Sequence, residues 1–308
     1  MTATLETPSL IGDPLPGRSP RKRGSGVRRR VVRIAWLFML PLALVNTLVI
    51  VVPSAQAVYY SFTDWTGLGA ADFIGLDNYL RMLSDDEFKQ ALAHNLIWTA
   101  ISLVVPMFLG LLGAYLLSRI SRFQLLFRLA YFIPYTVASV VSAAVWKNLL
   151  SPDNGVGAFL GVNFLGSTAL ALPSVAMVNT WAFWGFLVIV FLASMQSVNP
   201  ALYEAAALDG AGPLRQFASI TIPSIRPTLV FLVVQTIIWS FLAFDFVYIL
   251  TQGGPAGATD VLSTLMYRSA FSNLEAGYAS AIGVVMALFS GVVVAVYQYL
   301  RKARGWEA

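Results

Sequence analysis

Six apolar stretches, at about 34–60, 92–117, 124–147, 172–196, 224–250 and 277–300, constrain this chain more than any other feature. Each is long enough to cross a hydrocarbon core about 30 Å thick, which takes roughly 20 residues of helix. Charges are nearly absent inside them, with Arg128, Arg226 and Asp245 lying towards ends. The ten-residue alternation of barrel strands is missing, so helices and not strands must satisfy the backbone in lipid. The fold class expected is therefore all-α, a polytopic membrane bundle of six transmembrane helices. Composition agrees: 57% of the 308 residues are hydrophobic and 11% charged, against about 25% charged in soluble domains. The absence of cysteine excludes disulfides, thiolate metal sites and a cysteine nucleophile.

The net charge of +5 would suit nucleic acid, but its placement points elsewhere. Sixteen of the 20 Lys and Arg fall in the N-terminal tail, the 118–128 and 197–226 segments and the C-terminal end. By the positive-inside rule these share the cytoplasmic side, and both termini with them. Residues 1–33, rich in Pro, Gly, Ser and Arg, read as a disordered basic tail and topology signal, with no nucleic acid as partner. Ala55-Gln56-Ala57 resembles a signal-peptidase site, yet the apolar run before it exceeds a signal h-region of about 7–15 residues. It reads as a retained helix. Domain limits follow: tail 1–33, membrane domain 34–303, cytoplasmic end 304–308.

The polar segment 199–223, NPALYEAAALDGAGPLRQFASITIP, interrupts this pattern. Asn199 suits an N-cap and Pro200 the first helical position. Residues 201–208 favour helix, Gly210 and Gly212-Pro213 stop it, and a second helix starts at Leu214. The spacing predicts a short amphipathic helix on the membrane face, placed to transmit force to both flanking spans. Glu204-Ala205-Ala206, Gly210 six places on, then Ile220 and Ile222-Pro223 resemble the EAA–G–I-x-L-P signature of binding-protein-dependent ABC importer permeases. Ile222 in place of the usual Leu is the one departure.

The likeness covers about 34–303. Asp64-Trp65 with Phe73–Tyr79, Asn179-Thr180-Trp181, and Phe244–Pro255 are similar to the carbohydrate-type permeases of the maltose and glycerol-phosphate large-permease branch. The short end after the last span fits that branch, so a second, related permease is expected. The resemblance implies that Glu204, Ala205, Ala206, Asp209, Gly210, Ile220 and Pro223 form the loop that docks an ATPase, with Glu204 pairing to it. It further implies two ATP-binding-cassette subunits, an extracytoplasmic solute-binding protein, and a bacterial-type cytoplasmic (inner) membrane. No G-x-x-x-x-G-K-S/T loop occurs, so ATP and Mg²⁺ are expected on the partner and no cofactor on this chain. The chain itself is expected to be a translocation subunit, not an enzyme.

Polar groups inside spans mark candidate paths. Spans four and five flank the loop, and in the family they line the route. Asn179, Phe183 and Phe186 on one, and Gln235, Thr236, Trp239 and Ser240 on the other, offer ring faces and hydroxyl or amide groups suited to a sugar, polyol or glycerophosphodiester. Asp245 is the one acid in a span, either an anchor to the Gly253-Gly254 loop or a tyrosine, or a proton or substrate site. The proton role would favour an ion- or proton-coupled secondary transporter, the alternative reading, which would also call for inverted repeats; a channel-like scaffold is a further rival. His94, the only histidine, reads as a packed residue and not a metal ligand. Ala279, Gly283, Ala287, Gly291 and Ala295 form a small-residue stripe, either for packing within the chain or against a second permease.

Overall fold

The computed structural model describes residues 25–120 and 122–303 and divides into two compact units, Met1–Ser54 and Ala55–Ala308. The Arg21–Arg23 run and residues 304–308 lie outside the described residues. α1 (Ser25–Asn46) runs into a π turn at Thr47–Val51 and on into α2 (Val52–Tyr60), within which the first unit ends. Residues 25–33 are thus helical where the sequence reading leaves a disordered tail. Arg is a good helix former, and extending an existing helix avoids the cost of nucleation.

The second unit continues through α3 (Asp77–Ser84), α4 (Asp86–Ser118), α5 (Gln124–Thr136), α6 (Ser139–Leu149), α7 (Val156–Leu160) and α8 (Ala171–Gln196). Then come α9 (Pro200–Leu208), α10 (Pro213–Gln216), a π turn at Phe217–Thr221, α11 (Ile222–Ser224) and α12 (Arg226–Phe241). The last three are α13 (Asp245–Leu250), α14 (Leu262–Phe271) and α15 (Ala276–Ala303). Among the described residues five helical runs are long and apolar enough to cross a membrane, and α5 with α6 make a sixth if that bent pair is one span.

The bend is a departure from the straight third span expected. α5 and α6 meet at 93°. Pro134 has no amide hydrogen for the carbonyl one turn back, and Val137 and Ala138 are extended, with ψ 133° and 134°, so the helix cannot run through. α5 packs on α8, and α6 turns away to pack against α13.

α4 is the central helix, packed against α8, α12 and α14. Its glycines set the approach to α8: a methyl on Gly110 would fall 2.6 Å from the Leu187 Cβ, and on Gly113 2.8 Å from a Val188 methyl. Such small residues let backbones close together where lipid supplies no hydrophobic drive. Ala114, Leu117, Leu187, Val188, Phe191, Ile225 and Leu232 fill the seam toward the α9 end.

At the opposite end, α3 and the loop before it clamp the start of α15. Asn78 donates to the carbonyls of Ser61 and Thr63 at 3.0 and 2.8 Å. Arg81 makes a two-bond ion pair with Glu275 at 2.9 and 3.0 Å and lies 4.1 Å over the Tyr278 ring. The hydrogen bond to Glu275 raises the Arg81 pKa further above its ordinary value. The small-residue stripe of α15 divides. Ala279 is buried and Gly283 meets Met266 of α14, whereas Ala287, Gly291 and Ala295 are exposed.

Candidate coupling loop and translocation cavity

The 199–223 segment folds as its capping chemistry dictates. The Asn199 side chain accepts from the Ala201 amide at 3.0 Å, with Pro200 in the first turn of α9. Gly210 ends the helix with φ +76°, a left-handed conformation that favours glycine. The next helix begins at Pro213, one residue before the expected start. Glu204, Ala205 and Asp209 are exposed, Ala206 and Ile220 are half-buried, and Pro223 is exposed in α11. Among the described residues the side chains of Glu204 and Asp209 make no ion pair or hydrogen bond, and Leu208 and Leu214 are 91% and 78% exposed. The acids thus stand unpaired beside two bare leucines.

The loop is joined mechanically to α12. From Pro213 the chain is helical through α10, the π turn, α11 and α12, interrupted by one turn residue at Ile225. Pro223 cannot close the regular bond to the carbonyl four residues back, and the helix widens just before it. Tyr203 of α9 bonds Thr221 of the π turn at 2.9 Å. A cleft of about 380 Å³ lies between them, lined also by Tyr115, Arg119 and Gln216.

A cavity of about 290 Å³ sits where α12 breaks before α13, walled by α4 and α8. Asn179, Phe183, Thr236, Trp239, Ser240 and Asp245 of the sequence-derived set line it together. Phe186 and Gln235 do not. Phe186 stands behind Phe183 and stacks on Tyr135 at 4.9 Å, and Gln235 is half-buried outside the lining. Phe183 and Trp239 meet edge to face at 5.2 Å. The Thr236 hydroxyl is buried, at 3% exposure, and has no hydrogen-bond partner among the described residues. A buried donor left open costs free energy unless something occupies it.

Asp245 takes a different partner from those expected. Its carboxylate accepts from the Ser139 hydroxyl at the start of α6, not from a tyrosine or the glycine loop. Gly253 is pressed against Asp260, whose Oδ1 lies 2.1 Å from where a Cβ would be. Asp260 itself is 4% exposed and pairs with Arg268, which also reaches Glu87 at 2.9 Å. Burial works against the Arg268 charge, but the bonds to Asp260 and Glu87 outweigh it and its pKa is raised. His94 packs with Nδ1 at 2.9 Å from the Asp260 carbonyl.

The sequence reading missed the polar seam that holds this break open. Asn95, fully buried in α4, donates to the Ser240 carbonyl at 3.1 Å and accepts from the Leu262 amide at 2.9 Å. Thr99 bonds the Ser240 hydroxyl at 2.7 Å, and Ser263 caps the freed Ala243 carbonyl. An asparagine inside an apolar span is the signal that would have found it. Asn95→Leu leaves the Leu262 amide unpaired and the Ser240 carbonyl with the 3.4 Å bond from the Ala243 amide, a loss of about 1–3 kcal/mol for the amide. We expect a lower Tm in detergent for this variant than for wild type.

A family profile described as binding-protein-dependent transport system inner membrane component matches residues 107–305. The chain belongs to that family. This permease is 35% identical to the probable ABC transporter permease protein YurN of Bacillus subtilis (strain 168), over 83% of its own length and 92% of the relative. It is 32% identical to the diacetylchitobiose uptake system permease protein NgcF of Streptomyces coelicolor, over 98% and 91% of the two chains. Its fold matches a crystal structure of a bacterial ABC transporter involved in the import of the acidic polysaccharide alginate. The TM-score there is 0.80 at 24% identity, covering 91% of this chain and 99% of that one. It is a membrane-embedded permease subunit of an ABC transporter.

Proposed function

We propose that this permease pairs with a second, related permease to form the path for a sugar or a related polyol or glycerophosphodiester, with a neutral saccharide the best fit. Two ATP-binding-cassette subunits dock at Glu204–Pro223 and hydrolyse ATP with Mg²⁺, an extracytoplasmic binding protein delivers the cargo, and this chain binds no cofactor. The α9 face and both termini lie on the cytoplasmic side, as the Lys and Arg distribution requires. The observation that carries this reading is the helical run joining the loop to the cavity. At about 1.5 Å per residue, roughly 40 Å of helix links Pro213 to the wall residues Thr236, Trp239 and Ser240. A partner that draws α9 sideways moves that wall.

The cavity chemistry favours uncharged cargo. Phe183 and Trp239 offer faces for sugar C–H groups, Thr236 an unpaired hydroxyl, and Asn179 an amide. Asp245 is the only charged residue among those lining it, so a phosphate or uronate would meet the repulsion of one carboxylate there. A relative named for sn-glycerol-3-phosphate transport keeps a phosphate ester as the competing cargo. Relatives named for diacetylchitobiose, multiple-sugar and xylose/arabinose transport support the saccharide class.

The test is uptake of labelled maltose, diacetylchitobiose, xylose and glycerol 3-phosphate into proteoliposomes holding the full transporter with its binding protein. ATP-dependent uptake of a neutral sugar and none of the phosphate ester is expected; uptake driven by a proton gradient without ATP would overturn the assignment. Asp245→Asn should keep ATP-driven uptake of the neutral cargo within about threefold of wild type, since Asn can still accept the Ser139 hydrogen bond, which is worth about 1 kcal/mol. Abolished uptake in that variant would make Asp245 an ion-coupling site.

A further inference from the structure

Four aromatic rings, a triangle of Phe244, Tyr248 and Tyr267 with Phe271 beyond it, lead away from the cavity and belong to none of the three core clusters. Phe244 lines the cavity and stacks on Tyr248, with centroids 4.9 Å apart and planes 15° apart. Tyr267 of α14 meets Phe244 at 5.4 Å and Tyr248 at 5.0 Å, and Phe271 follows at 4.8 Å. Phe244, Tyr248 and Tyr267 are half-buried and Phe271 is 70% exposed. The start of α14 is fixed deep in the bundle, where Leu262 bonds Asn95 and Ser263 bonds Ala243. Its far end lies toward the clamp, where Arg268 reaches Glu87. The rings therefore lead from the cavity wall at the helix break toward the end of the bundle away from α9.

We propose that Phe244, Tyr248, Tyr267 and Phe271 form a stacking track along which a saccharide enters the cavity. The inference rests on the saccharide reading above and adds a second binding region to it. Pyranose C–H faces pack on aromatic faces, and the ring-to-ring steps are close to the length of one sugar unit. The phenol groups of Tyr248 and Tyr267 supply hydrogen bonds to sugar hydroxyls without fixing one orientation. Continuity through Phe244, shared by track and cavity, selects sugar over lipid as the occupant. A series of weak, similar sites passes cargo onward, whereas a single tight one would hold it.

Full transporters with Tyr267→Leu and Phe271→Leu keep apolar bulk but lose the planar face; Tyr267→Phe and Phe271→Trp keep a ring. Initial uptake of labelled maltotriose, maltose, diacetylchitobiose and xylose is measured per assembled complex, with assembly read by co-purification of the ATPase. For sugars that wild type transports, each Leu variant should raise the KM about five- to tenfold, the scale of one aromatic contact. The ring-retaining variants should stay within about twofold of wild type. Wild-type KM in the Leu variants overturns the track and leaves the saccharide reading standing. Equal loss in Leu and ring-retaining variants, or loss of assembly in the Leu variants alone, makes the rings structural and also overturns it. No uptake of any of these sugars by wild type overturns the saccharide reading and the track with it.

Discussion

Changing Glu204 to Lys together with Gly210 to Asp is expected to reduce ATP-driven uptake by about 100-fold or more while leaving membrane insertion intact. Glu204 and Gly210 are exposed, and a Cβ at Gly210 would meet nothing within 4 Å, so the change removes no packing from this chain. At a docked surface, reversing one partner of a desolvated charge pair costs about 2–5 kcal/mol, and 2.7 kcal/mol is about 100-fold. The second substitution acts through the backbone. Gly210 has φ +76°, where an L-residue is strained by roughly 1–2 kcal/mol, so the turn that aims α10 away from α9 shifts. Co-purification of the ATPase and uptake in proteoliposomes read the two effects. Full uptake by the double variant would end the assignment of this loop as the coupling element.

Gly185→Ala is expected to be the most damaging single-methyl change in the bundle. A Cβ there would fall 1.7 Å from the Tyr131 carbonyl oxygen of α5. Overpacking a core costs about 1–3 kcal/mol when side chains can give way; here the obstacle is backbone, so about 3 kcal/mol or more is expected. The α5–α8 contact would have to open, and Tyr131 would lose its edge-to-face contact with Trp184, now at 4.9 Å. Thermal unfolding of the detergent-solubilised protein measures this as a large fall in Tm. Gly291→Ala provides the control, because nothing lies within 4 Å of its missing Cβ, and its Tm should match wild type. Equal Tm values for both variants would show that α5 does not pack on α8 as described.

The membrane bundle and the helix and turn of the 199–223 segment were legible because their signals are local. Apolar runs are decided by hydrocarbon thickness, and the Asn199 cap, Pro200 and Gly210 act within a few residues of themselves. The cavity was legible in part, since helical spacing puts Thr236, Ser240 and Trp239 near one face of α12. Spacing could not tell that Phe186 and Gln235 stand outside the lining. That depends on how α8 and α12 rotate against α4, which close approach at Gly110 and Gly113 sets. The partner of Asp245 was out of reach for the same kind of reason: Ser139 is 106 residues away.

The sequence by itself determined the helical class, the family and the capped helix of the 199–223 segment, because lipid and capping chemistry leave few alternatives at those positions. Only the tertiary structure decided that the third span bends by 93°, that α12 breaks beside Asn95, and that the segment after α13 turns back into the bundle to start α14. A proline or a polar residue in a span permits a break, but neighbouring groups decide whether the freed backbone is satisfied. Asn95 and Ser263 do that for the breaks at Ser240–Ala243, and α13 receives α6 beyond the bend. The cavity exists because those distant partners meet there.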